Sequence, residues 1–171
     1  MKLRNNILTA LLLATGLILH QITPGILGGM KFDFLLSFVF ISLIINPTFE
    51  NTLLTGLLGG LLAAMTTAFP GGQIPNVIDK LVACFVLFPI IRLIPRERFN
   101  LMVTVLIGGL GTLVSGTAFL ASALFIVGLP APMSSLMVTV VLPTVVVNAV
   151  GTALLYTVVK RVIRVSGFSL D

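Results

Sequence analysis

Four charged residues stand apart from the rest of this chain: Lys31, Asp33, Asp79 and Lys80. They form two opposite-sign pairs, each at the start of an apolar run. Each pair follows a Gly/Pro-rich stretch, Pro24-Gly25…Gly28-Gly29 before the first and FPGGQIPN (residues 69–76) before the second. Charges near a membrane interior are costly, which marks them as candidates for function. A lysine meets a carboxylate and an aspartate meets an ammonium, so two such pairs suit a zwitterionic ligand. The competing readings are that they pair with one another, that they snorkel to headgroups, or that Asp33 and Asp79 complement the dipole in the first turn of their helices. Gln73 and Asn76 add neutral hydrogen-bonding groups beside Asp79. Phe69, and Phe32 and Phe34 on either side of Asp33, offer rings on which a flat ligand can stack. Asn148, after Pro143 in a Val-rich run, is a further candidate ligand contact, although such an Asn more often ties helices together.

Other chemistry is missing from the sequence. His20 has no Cys or acidic partner at a metal-binding spacing. A phosphate-cradling glycine motif ending in Gly-Lys-Ser/Thr is absent, as are a Ser-His-Asp set and paired catalytic carboxylates. The chain is therefore expected to be neither a nucleotide hydrolase nor another enzyme, with no metal and no cofactor. The single Cys84 lies inside an apolar run and reads as an inert packing residue.

The elements that must position these residues are membrane spans. Hydrophobic residues make up 57% of the chain and charged ones 9%, far from the roughly 25% charged of soluble domains. Six apolar runs, about 7–22, 32–45, 52–69, 77–94, 101–127 and 135–159, predict an all-α bundle of six transmembrane helices forming one integral domain over residues 1–171. Backbone groups in lipid must be satisfied internally, which favours helices. The second run has 14 residues and spans only ~21 Å, short of the ~30 Å hydrocarbon core. Irregular backbone must therefore enter the bilayer beside it, which is tolerated only around a protein-covered or wet cavity. Basic residues cluster before the first run (Lys2, Arg4), in the middle connection (Arg92, Arg96, Arg98) and after the last (Lys160, Arg161, Arg164). This alternation predicts cytoplasmic termini in a multi-pass cell-membrane protein, with both Gly/Pro-rich connections outside, as floor and lid of an outward pocket. The same alternation argues against a cleaved signal peptide at the start. The net charge of +5 faces an anionic leaflet and implies no nucleic-acid partner.

The segments GMKFDFLLSFVFISLIINPTFENTLL (residues 29–54) and TTAFPGGQIPNVIDKLV (residues 66–82) resemble bacterial tryptophan transporters of the TrpP family. That family is similar to the substrate-binding S components of energy-coupling-factor (ECF) transporters, six-helix bundles that capture a small molecule on the outer side. The resemblance implies tryptophan as ligand and, as partners, a transmembrane coupling protein with two ATPase subunits. Ala10 and Ala14 lie four apart on the first span, a spacing that by itself fits packing inside the bundle. In S components an Ala-x-x-x-Ala pattern on that helix contacts the coupling protein, so the resemblance makes these two residues the partner contact. Two alternatives stay open: a tryptophan carrier driven by an ion gradient, with Asp33 or Asp79 as proton site, and a non-transporting scaffold like the cell-shape protein MreD.

Overall fold

The computed structural model describes residues 2–23 and 33–166; Lys31, Phe32 and the stretch 24–29 lie outside the described residues. Among the described residues every regular element is helical. Helix α1 spans Lys2–Ile22, α2 Phe34–Ile45, α3 Phe49–Met65, α4 Gln73–Leu93 and α5 Leu101–Ile126. The last, α6, runs Met133–Val165 and contains a π-helical turn at Met137–Val141. A 3₁₀ turn, Arg96–Arg98, lies between α4 and α5. Four segments are long and apolar enough to cross a membrane: Leu3–Ile22, Gln73–Leu93, Leu101–Ile126 and Met133–Val165. The 12-residue α2 and the 17-residue α3 are apolar but shorter, about 18 and 26 Å long.

Local chemistry sets the boundaries. Asp33 Oδ1 accepts the Leu36 N–H at 2.9 Å, so α2 starts two residues inside the apolar run, at an N-cap. Thr48 Oγ1 accepts the Asn51 N–H at 3.2 Å, which starts α3 at Phe49 and not at the expected residue 52. The FPGGQIPN connection departs furthest from expectation. Its second half is helical: Gln73, Pro75 and Asn76 form the first turn of α4. Pro75 is tolerated because first-turn N–H groups lack intrahelical partners anyway. Asp79 and Lys80 consequently sit beyond the first turn, and the expected dipole role for Asp79 does not apply.

Helix α2 is the hub. All eleven residues from Leu35 to Ile45 are buried, as befits a helix apolar on every side. It packs against all five other helices. Near its C-terminal end a polar cluster ties three helices together. Thr9 Oγ1 donates to Asn51 Oδ1 at 2.7 Å, Ser42 Oγ to Thr9 Oγ1 at 3.1 Å, and Asn51 Nδ2 to the Asn46 carbonyl at 2.8 Å. Close helix approach depends on glycine: a Cβ at Gly60 of α3 would lie 2.9 Å from the Val77 Cα of α4, and one at Gly116 of α5 would lie 2.7 Å from Val141 Cγ1 in the π turn.

Candidate ligand-binding cavity

The end of the bundle where α2 begins holds a partly open cavity of about 670 Å³, within the usual range for small-molecule sites. One part of its wall is charged. Lys80 Nζ lies 2.9 Å from Asp33 Oδ2 and 3.0 Å from Asp79 Oδ2, so one ammonium bridges two carboxylates across α2 and α4. Ser115 Oγ of α5 donates to the same Asp79 Oδ2 at 2.7 Å. The Lys80 and Asp79 side chains are only 2% and 4% exposed, and Asp33 is 20% exposed. Buried charges persist when paired and hydrogen-bonded, and here each has a charged partner. His20 of α1 also lines the cavity, its Nδ1 3.6 Å from Asp33 Oδ1.

The other part is aromatic and aliphatic. Phe69, from the loop before α4, meets Phe119 of α5 edge-on, ring centroids 5.4 Å apart. Pro70, Leu120, Pro130, Leu136 and Val140 complete this wall. Ser115 and Phe119 are one turn apart on α5, so charged cluster and ring pair sit ~6 Å from each other along that helix. The cavity can therefore hold a ligand with a charged head and a planar apolar ring.

Helix α6 closes the remaining side with its π turn. Thr139, Val140, Val141 and Thr144 line the cavity there. The Leu142 N–H donates to the Met137 carbonyl, and Pro143 has no N–H for the Thr139 carbonyl. Such π turns recur at functional sites because they re-aim a stretch of side chains.

Of the candidates from sequence, Asp33, Phe69, Asn76, Asp79 and Lys80 come together around the cavity. Gln73 and Asn148 are not among its lining residues. Gln73 is exposed on α4, and Asn148 is buried, its backbone carbonyl oxygen near Gly108 of α5 and its side-chain Nδ2 without a partner. Ala10 and Ala14 lie elsewhere, exposed on the outer face of α1. Sequence reasoning did not single out Ser115, Phe119 or the threonines of α6. A signal for Ser115 existed: Thr104, Gly108, Gly111, Thr112 and Ser115 form a small and polar stripe at helical spacing, all buried.

The family model for the tryptophan transporter TrpP matches residues 2–164. A protein of Clostridium acetobutylicum named a probable tryptophan transport protein is 42% identical over 168 residues, covering 96% of both chains. Proteins of the same name from Bacillus subtilis and Clostridium perfringens are 42% identical over 168 residues and 44% identical over 177, each covering at least 96% of both chains. No solved structure matches. Family and relatives are named for transport, not for a chemical reaction, and several apolar helices make the protein a multi-pass component of the cell membrane. The chain belongs to the TrpP tryptophan transporter family.

Proposed function

We propose that this protein takes tryptophan from the outer side of the cell membrane into the cavity between α2, α4, α5 and α6, and that it does so as the S component of an ECF-type importer. The observation that carries the reading is a family match over nearly the whole chain joined to a cavity with a charged cluster and a phenylalanine pair. In this reading all six helices span the membrane with both termini cytoplasmic, because the basic residues gather at one end of the bundle. The cavity, at the opposite end, then opens outward. The coupling protein docks on the exposed face of α1, where Ala10 and Ala14 permit close helix approach, and two ATPase subunits supply the energy. A second reading, an ion-gradient carrier, draws on the buried carboxylates, which suit a coupling ion as well as a ligand. Uptake that survives loss of the coupling protein would favour it.

Binding is tested by mixing the purified protein with free tryptophan and recording indole emission. The chain has no Trp and one Tyr, so the signal belongs to the ligand. A saturable blue shift is expected as the indole enters an apolar wall. No shift with folded protein would overturn the tryptophan assignment.

A further inference from the structure

Hydrogen-bonding capacity in the cavity is lopsided. Thr66, Thr112, Thr139 and Thr144 each donate their hydroxyl proton to a carbonyl of their own helix, at 2.7–2.9 Å. Ser115 gives its proton to Asp79. Toward a ligand these five groups offer only lone pairs. Lys80 uses N–H groups on Asp33 and Asp79. Among the described residues two carboxylates share this one ammonium; Asp33 also has His20 Nδ1 at 3.6 Å, whereas Asp79 has no second cationic neighbour.

Asp79 shows where the gap lies. Its Oδ2 receives two donors, from Lys80 and Ser115, while its buried Oδ1 receives none. The Thr9–Ser42–Asn51 cluster at the far end of α2 has no such orphan. An unpaired acceptor beside an acceptor-rich wall calls for a group that brings both N–H donors and positive charge. An amine has both. A ligand carboxylate, in contrast, would face two carboxylates already in place.

We propose, resting on the tryptophan reading above, that the site recognises its ligand through the amine, with Asp79 Oδ1 accepting from the ammonium and the ring lying against Phe69 and Phe119. The ~6 Å between Ser115 and Phe119 along α5 is comparable with the separation of the ammonium from the middle of the indole ring. The ligand carboxylate is then the less discriminated group. Seating the amine requires only a local adjustment of Asp79, because the residue already lines the cavity.

The test titrates the full-length protein with tryptophan, tryptamine (no carboxylate) and indole-3-propionate (no amine), again by ligand fluorescence. Tryptamine is expected within about tenfold of tryptophan, and indole-3-propionate about a hundredfold weaker, the scale of a lost charge-assisted bond. The reverse order overturns the amine anchor while leaving tryptophan as ligand. Failure of folded protein to bind tryptophan overturns both. Asp79→Asn is expected to weaken tryptophan and tryptamine at least about tenfold while indole-3-propionate, relieved of one facing carboxylate, binds no more weakly than before. An equal loss for all three overturns the assignment. Sodium-dependent tryptophan binding with tryptamine excluded would give the position to a metal cation and likewise overturn the amine anchor. If Asp79→Asn does not fold, the ligand series on the unaltered protein decides.

Discussion

At the scale of single residues, Lys80 is the keystone of the charged cluster. Breaking a buried charged set by removing one partner typically costs about 3–5 kcal/mol. Lys80→Met is therefore expected to lower the thermal midpoint in detergent markedly, because Asp33 and Asp79 then face each other uncompensated. Adding Asp33→Asn should recover part of the loss. A double-mutant cycle read by thermal unfolding checks this, and simple additivity of the two changes would refute the coupling. The sequence already marked these charges as unusual, since each stands at the edge of an apolar run. It did not say which would meet: the 2.9 Å pairing of Lys80 with Asp33 joins residues 47 apart in number and depends on how α2 lies against α4. Ser115 was hidden for another reason. A serine in an apolar helix usually bonds its own backbone, as Ser122 does here, and only tertiary packing aims Ser115 at Asp79.

Among the elements, α3 and α4 are held close by small residues, and this gives a paired test. A Cβ at Gly60 would press on backbone, the Val77 Cα at 2.9 Å, whereas one at Gly151 of α6 would meet nothing within 4 Å. Gly60→Ala should destabilise by about 1–3 kcal/mol through overpacking, while Gly151→Ala should stabilise by about 0.5–1 kcal/mol through helix propensity. Thermal midpoints of the two variants decide it, and equal shifts would refute the packing described for α3. The helix starts at Asn100 and Asp33 follow from capping chemistry readable in sequence. The helical start at Gln73 was masked by Pro70, Gly71, Gly72 and Pro75, which read together as one loop. Nor did periodicity announce the π turn, because five extra-wide hydrogen-bonded residues leave no compositional trace in a run of valines.

For the whole molecule, orientation is the quantity that charge alone predicts. Cys84 is the chain's single cysteine and is buried, so replacing it with Ala yields a background for accessibility mapping. A cysteine placed at Pro130, on the cavity side, should react in intact cells with a membrane-impermeant maleimide, and one at Glu97, in the turn between α4 and α5, should react only after lysis. The opposite pattern would invert the topology. The all-helical, apolar-run architecture was legible because lipid imposes it so strongly on composition. The cavity was only hinted at, through the brevity of the second run. That brevity has an electrical consequence. Asp33, the cap of α2, lines the cavity; in the proposed six-span topology solvent then reaches the start of this helix, and the insulating layer beyond it is ~18 Å thick instead of ~30 Å. The same transmembrane voltage falls over that thinner septum, and the local field is about 1.7 times steeper. In that topology a displacement of the charged cluster by ~4 Å moves its charge through about a fifth of the membrane voltage, against about an eighth across an unthinned bilayer, and membrane voltage becomes a lever on any reorientation of the bundle.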